Sequence, residues 1–335
     1  MISCGEPSGD VYAGALAREI LQIDPSTVIT GFGGEQLRRA GAHLLADFEG
    51  LSVTGLLEVA RVLPRTYGVY RRLVADATAL KPDVFVAVDY PDFNFRLAHA
   101  LRKLGVPVVY YISPQLWAWR PGRMKTMQRI ADRVLVIFPF EEEIYQRAGV
   151  PVEWVGHPLL DSSTSPEPRG EFLVRLGLDP ARQVVALLPG SRINEVRAIL
   201  PGLLAAARII HERLPAAQFL LARAPHLPDE LFAGLGRHGL SIVTIENATG
   251  GVLASADVAL LASGTVTVQA ALAECPMVVV YRLSAMTYRL GRPFVRVNTF
   301  AMANLVAGQE VVPELMQDDF TPEAVAAGKR PQRLG

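Results

Sequence analysis

Short apolar runs rich in β-branched residues alternate with longer helical patterns along this whole chain. That alternation restricts the fold to parallel sheets assembled from right-handed βαβ units. First-half strands are expected at 2–4, 28–32, 84–88, 106–112, 134–137 and 153–155, with helices at 11–22, 93–104, 120–130 and 141–147. Second-half strands are expected at 184–188, 218–221, 241–244, 258–261 and 277–280. A length of 335 residues exceeds one small core and predicts two doubly wound α/β domains. The polar, Pro-containing stretch 161–170 reads as the linker, which gives domains at 1–160 and 171–335. Ligands of such sheets bind beyond the carboxyl ends of the strands, so both domains are expected to point loops into a cleft between them.

Two loops of the second half stand out. The run at 184–188 opens into Pro189-Gly190-Ser191-Arg192, and the run at 258–261 opens into Ala262-Ser263-Gly264-Thr265. Strand–turn–helix loops of small residues leave backbone N–H groups at a helix N-terminus, an arrangement that binds phosphate. Arg192 adds a planar guanidinium suited to a diphosphate. The pair predicts a nucleotide diphosphate held by the second half.

In the first half the first strand opens into Gly5-Glu6-Pro7-Ser8-Gly9-Asp10. Its glycines permit close approach of a ligand, and Ser8 or Asp10 is expected to cap the helix that follows. The spacing is not GxGxxG, which argues against a dinucleotide site. Glu6, a carboxylate beside a helix N-terminus, is expected to contact something polar. Asp89 ends an apolar run and is expected to be partly desolvated, with the raised pKa of a general base; a turn or cap role is the alternative. Asp92 is expected to cap the next helix. Trp117 and Trp119, framed by prolines, Arg120 and Arg123, read either as packing between domains or as an aromatic platform for a sugar or acyl chain. His157 is either a structural imidazole or a ligand contact, and with no second His at a metal spacing no metal site is expected.

Formal charge balances at +0, so nothing marks the chain for nucleic acid. Three stretches nevertheless carry cations and no acid: 59–75 with Arg61, Arg65, Arg71 and Arg72; 93–131 with seven Arg or Lys; and 275–309 with Arg282, Arg289, Arg292 and Arg296. Together they favour an anionic ligand or an anionic membrane surface. Residues 55–73, with Leu56, Leu57, Val62, Leu63, Tyr67 and Tyr70 among arginines, read as a membrane- and acyl-facing surface or as an ordinary amphipathic helix. Cys4 and Cys275 lie in no metal or redox spacing and are expected to be buried thiols. Met1 leads almost directly into a strand and no apolar run spans a bilayer, so the chain reads as soluble or peripheral, without a signal peptide. A helix expected from Glu323 gives way to a tail that ends in no core element.

The segments GEPSGD, LSVTGLLEV, KPDVFVAVDYPDFN, YISPQLWAWRPGR, FPFEEEIY, VPVEWVGHPLLD, LLPGSR, LLASGT, CPMVVVYR and ANLVAG follow one another from Gly5 to about Pro322. In this order and spacing they resemble the lipid-A-disaccharide synthase family, inverting glycosyltransferases of the two-domain GT-B type. The resemblance implies transfer of 2,3-diacylglucosamine from its UDP derivative to 2,3-diacylglucosamine 1-phosphate (lipid X), giving a β-1,6-linked disaccharide 1-phosphate and UDP. It implies Asp89 as the base for the acceptor 6-hydroxyl. Arg192 and the Ser263-Gly264-Thr265 turn would hold UDP, and Glu6 and Asn304 match further site positions. No cofactor is implied. The implied partners are the two lipid substrates, lipids of the cytoplasmic face of the inner membrane, and a second copy of the chain in a homodimer.

Two departures from the family pattern stand out. Gln269 occupies the position where the family usually places a Glu that accepts hydrogen bonds from the ribose; it keeps an acceptor and loses the charge. The further C-terminal helices of the family pattern do not follow, as in a chain truncated at this end. Competing readings are another GT-B enzyme, such as a UDP-N-acetylglucosamine 2-epimerase or a transferase with a soluble acceptor, and a catalytically silent nucleotide-sugar-binding protein.

Overall fold

A computed structural model describes residues 1–48, 56–116, 121–161, 167–225, 227–283, 299 and 301–329, with the backbone alone at 56–62, 121 and 237–238. The chain divides into two units, Met1–Pro158 and Leu159–Gly335.

The first unit holds strands β1 (Ile2–Cys4), β2 (Thr30–Gly33), β3 (His43–Asp47), β4 (Phe85–Val88), β5 (Val108–Tyr111), β6 (Arg133–Val136) and β7 (Val152–Trp154). Its helices are α1 (Pro7–Ile23), α2 (Glu35–Arg39), α3 (Leu56–Leu80), α4 (Pro91–Lys103), α5 (Met124–Ile130) and α6 (Pro139–Arg147). The sheet order is β3-β2-β1-β4-β5-β6-β7, parallel at every pairing. The chain therefore winds outward from β1 on one side and from β4 on the other, so the order reverses between those two strands. Cys4 lies in register with Val88, which brings the ends of β1 and β4 side by side.

The second unit repeats the plan. Its strands are β8 (Val184–Leu188), β9 (Gln218–Arg223), β10 (Ile242–Glu246), β11 (Val258–Ala262), β12 (Met277–Tyr281) and β13 (Glu314–Met316). Its helices are α7 (Arg169–Arg175), α8 (Ile193–Arg213), α9 (Thr249–Ser255), α10 (Thr265–Leu272), α11 (Met302–Ala307) and α12 (Pro322–Ala327). The order β10-β9-β8-β11-β12-β13 reverses between β8 and β11, where Leu188 pairs with Leu261. Along β8, Val185 and Leu187 face one apolar cluster while Val184, Ala186 and Leu188 face another. A strand buried on both faces reads as an unbroken apolar run. Arg169 already begins α7, so helix starts inside the stretch expected to be linker; residues 162–166 of that stretch lie outside the described residues.

Two strands escape the sequence pattern, β3 and β13, and both are edges of their sheets. β3 is only half-buried and β13 has three residues, so neither carries the apolar run that marks a central strand. Helix starts also come earlier than expected, because Pro7, Pro91 and Pro139 each occupy the first helical positions. Proline's fixed φ and missing donor suit that place. Both cysteines are buried free thiols, and burial pushes Cys275 up to about 11. Among the described residues no helix is long and apolar enough to cross a membrane.

Candidate active site

Of the loops singled out in the sequence, four leave the two strands that flank each reversal of order. In the first unit these are Gly5–Asp10 after β1 and Asp89-Tyr90 after β4; in the second, Gly190–Arg192 after β8 and Ser263–Thr265 after β11. Neighbouring strands lie about 4.8 Å apart and their following loops diverge to opposite sides, which opens a crevice at this point of a doubly wound sheet.

The β4–α4 turn is the most constrained of them. Asp89 and Tyr90 both adopt left-handed backbone, with φ of 46° and 49°. Non-glycine residues held there cost about 1–3 kcal/mol each and persist where their surroundings over-determine them. Here the surroundings are Asn94 and Tyr110, both fully buried. The Asn94 amide donates to the carbonyls of Asp89 (2.8 Å), Ser3 (3.2 Å) and Val88 (3.3 Å), and its oxygen accepts from the Ser3 hydroxyl at 2.6 Å. The Tyr110 hydroxyl donates to the Asp89 carbonyl at 2.7 Å. The turn is thus tied to both β1 and β5, and it leaves the Asp89 side chain half-exposed at the strand end. Burial, and secondarily the charge of Asp89, holds the Tyr110 hydroxyl well above its usual pKa; burial together with Tyr111 and Asp89 does the same to Tyr12. Tyr12 meets His157 edge-on at 6.1 Å, and His157 meets Phe138 at 5.4 Å. Burial lowers the His157 pKa, so it is a neutral imidazole in an aromatic nest.

Several expectations change on this side. Neither Ser8 nor Asp10 caps α1: its N-cap is Glu6, and Ser8 lies in the first turn. Asp10 is buried and serves a different helix, accepting from the N–H groups of Gly34 (2.7 Å), Gln36 (2.8 Å) and Leu37 (3.2 Å) at the start of α2. The close approach that Gly5 permits is made by the Tyr90 ring, which a Cβ at Gly5 would overlap. Burial and then the charges of Glu6 and Asp92 raise the Tyr90 hydroxyl pKa, so Glu6 and the Asp89-Tyr90 turn form one electrostatic neighbourhood. Asp92 does not cap α4, whose N-cap is Tyr90; it forms an ion pair with Arg123. Arg102 likewise pairs with Asp132 at 2.7 Å and Arg65 lies 3.8 Å from Asp47, so acids bordering the basic stretches engage part of their charge.

The loop bearing the tryptophans leaves β5 through Ile112, at φ 58° a marked outlier for a β-branched residue. Trp117, Trp119 and Arg120 themselves lie outside the described residues, as do the side chains of Leu56, Leu57 and Val62. Further along α3, Leu73 and Ala77 are buried in the core while Leu63 and Tyr67 are 50% and 62% exposed.

In the second unit Gly190 has φ 115°, and Arg192 is the N-cap of α8 with its side chain exposed. Glu195, one turn into the helix, folds back and accepts from the Ser191 N–H at 2.9 Å and from the Arg192 N–H. The second turn is more open. Gly264, N-cap of α10, has nothing within 4 Å of where a Cβ would stand, and Gly264 and Thr265 are exposed. The turn is fixed from below, by Ser263 N–H to the Val280 carbonyl (2.9 Å) and by the buried Thr267 hydroxyl to the Gly264 carbonyl (2.8 Å). Gln269 sits half-buried one turn further along α10. Asn304 is turned inward: it is 2% exposed, accepts from Val311 N–H (2.7 Å) and Val312 N–H (2.9 Å), and donates to the Val312 carbonyl (2.9 Å). These bonds shape the loop before β13, the loop from which Asn304 is expected to reach UDP.

Tyr90, Asn94, Tyr110 and Glu195 join the site without standing in a motif of the sequence that marks them. Only Glu195 had a local signal, a Glu three residues beyond an N-cap, the reaching-back half of a capping box.

Comparison with known proteins shows the family and the fold. A family model described as lipid-A-disaccharide synthetase matches residues 1–332. A lipid-A-disaccharide synthase of Koribacter versatilis is 46% identical over 334 residues, covering 98% of this chain and 86% of that protein. Among solved structures, the glycotransferase of kitacinnamycin superposes with a TM-score of 0.63 at 18% identity, over 98% of this chain and 88% of that one. A UDP-GlcNAc 2-epimerase from Neisseria meningitidis bound to UDP-GlcNAc gives 0.58 at 11%, over 92% and 88%. At these identities the two structures share the fold alone, the two-domain α/β fold of GT-B glycosyltransferases, whereas the family match is carried by the sequence. This chain belongs to the lipid-A-disaccharide synthase family.

Proposed function

We propose that this enzyme transfers 2,3-diacylglucosamine from its UDP derivative to the 6-hydroxyl of 2,3-diacylglucosamine 1-phosphate, with Asp89 as base and the β8 and β11 turns as the diphosphate seat. The observation that carries the assignment of roles is the placement of all four loops at the two reversals of strand order. The acceptor oxygen attacks the donor's anomeric carbon as the bond to UDP breaks, and the acceptor's proton passes to the Asp89 carboxylate. Negative charge grows on the departing diphosphate, where the Arg192 guanidinium and the N–H groups of Ser191, Gly264 and Thr265 oppose it. Asn94 and Tyr110 hold the backbone of the strained turn from which the Asp89 carboxylate projects, which supports the role of a positioned base. Glu6 sets the charge beside it, and Gln269 accepts from the ribose as an uncharged amide.

The same reading assigns the apolar and cationic stretch 55–73 to contact with the acyl chains and the cytoplasmic leaflet of the inner membrane; exposure of Leu63 and Tyr67 beside Arg71 and Arg72 supports this. Ser8, Trp117, Trp119 and Arg120 are the further residues this reading assigns to contact with the acceptor or its acyl chains.

The test is a disaccharide synthase assay with both lipid substrates in detergent micelles. A positioned base contributes roughly 10²–10⁴-fold, so Asp89→Ala is expected to lose at least about a hundredfold in turnover while retaining affinity for the UDP donor. Near-normal turnover would remove Asp89 from the mechanism.

A further inference from the structure

Within the β8–α8 turn, the seat assigned to the donor's diphosphate already holds an anion of the chain itself. A Cβ built on Gly190 would stand 2.1 Å from Glu195 Oε2 and 2.4 Å from its Cδ, so the carboxylate lies directly over the turn. It takes the N–H groups of Ser191 and Arg192, the first of them a donor assigned to phosphate and the second its neighbour in the same turn. The Arg192 charge acts on Glu195, and Tyr281 at the end of β12 lies within the field of both. Burial raises the Glu195 pKa against these stabilising contacts.

We infer that Glu195 is a resident counter-anion of the Ser191-Arg192 turn, which the diphosphate of the UDP donor must displace in order to bind. This rests on the diphosphate assignment made above. A carboxylate and a phosphate oxygen ask the same thing of a helix N-terminus, a cluster of N–H donors and a positive potential, so the two cannot hold one set of donors at once. The exchange has two consequences. In the empty enzyme the capped turn is held in its binding shape, with Gly190 at φ 115° giving the carboxylate room. On binding, the repulsion between Glu195 and the diphosphate is relieved by swinging the side chain away or by protonating it. Among the described residues, the charged and titratable groups facing Glu195 are Arg192 of its own loop and Tyr281 of β12. Neither loses charge by protonation in mildly acidic solution, so a pH response of donor binding that disappears in Glu195→Gln reports on Glu195. Because its pKa is raised, the competing charge begins to disappear above the ordinary carboxylate range as the solution is acidified.

The experiment measures binding of the UDP-sugar donor without acceptor, by calorimetry, from about pH 7.5 to 5. Its diphosphate is esterified at both ends and carries no titrating proton in that range. Glu195→Gln is expected to bind the donor about tenfold tighter at pH 7.5, the scale of one charge-assisted hydrogen bond, with little pH dependence. The wild-type affinity is expected to rise on acidification toward that of the variant. Uridine, which has no phosphate, is expected to show neither effect. Equal or weaker donor binding by a folded Glu195→Gln variant would overturn the inference, as would an equal gain for uridine. If that variant fails to fold, a flat wild-type pH profile overturns it alone. Arg192→Ala separates the two levels of argument. Loss of donor affinity in Arg192→Ala with no gain in Glu195→Gln defeats only the competition, whereas unchanged affinity in Arg192→Ala defeats the diphosphate assignment itself.

Discussion

Asn94→Asp is the sharpest probe of the turn that aims Asp89, because it alters two hydrogens and one charge while conserving shape. Asn94 is fully buried and its amide N–H₂ serves three carbonyl oxygens, those of Ser3, Val88 and Asp89. An ionised carboxylate there would face all three with no donor, so the introduced group is expected to stay protonated in the folded enzyme. A protonated acid donates once where the amide donates twice, which loses roughly one hydrogen bond, about 1 kcal/mol. Keeping the acid neutral at pH 7 costs more. Each unit between the solution pH and an unperturbed carboxyl near 3.9 adds about 1.4 kcal/mol, or about 4 kcal/mol at pH 7 if the folded pKa lies at or above 7. The sign follows from linkage: a folded pKa raised above the unfolded one gives stability that is intact below pH 4 and lost as pH rises. Unfolding free energies of wild type and variant, from urea titrations, should therefore differ by about 1–2 kcal/mol at pH 4.5 and by about 4–5 kcal/mol at pH 7. Turnover should fall with stability, since the left-handed pair Asp89-Tyr90 loses its clamp. A deficit that is small and independent of pH would show that the amide does not hold the turn by donating, and the account of Asp89's aim would fail with it.

Three further outcomes are expected. Asp10→Ala leaves the N–H groups of Gly34, Gln36 and Leu37 without their acceptor and should cost about 3 kcal/mol or more, while Glu6→Ala should cost under about 1 kcal/mol and act on turnover instead; equal denaturation midpoints for the two variants would undo this division of the motif. Gly264→Ala places its methyl in open space, so its melting temperature should stay near that of wild type, with a stability change of about 1 kcal/mol at most, while UDP-donor binding weakens about tenfold; undiminished donor affinity would move the phosphate away from this turn. Burial lowers the His157 pKa, so the unfolded chain takes up its proton first and the stability this residue confers is lost as pH falls below about 6.5. His157→Gln should accordingly flatten the fall in urea midpoint between pH 7.5 and 5.5, and parallel slopes would assign that fall to other groups.

The central strands were legible in the chain, because burial on both faces writes an unbroken apolar run such as Val184–Leu188 into it. The sequence likewise marked the four loops, through glycines, prolines and charges that have no place in a strand, and the ordered motifs that carry the family. It could not see β3, half-buried at a sheet edge, or β13, an edge strand of three residues too short to carry such a run. Nor could it tell Asp10 from Glu6, four residues apart in one motif, because capping of α2 depends on where a second helix arrives. Tertiary structure decided what lies beside what: β1 against β4, β8 against β11, the Asn94 amide beneath Asp89, and the Glu195 carboxylate over Gly190. Strand order is set by the packing of whole βαβ units, a long-range choice that local patterning does not encode. The loops were legible as loops, and only the order of the strands gathered them in pairs at the two reversals.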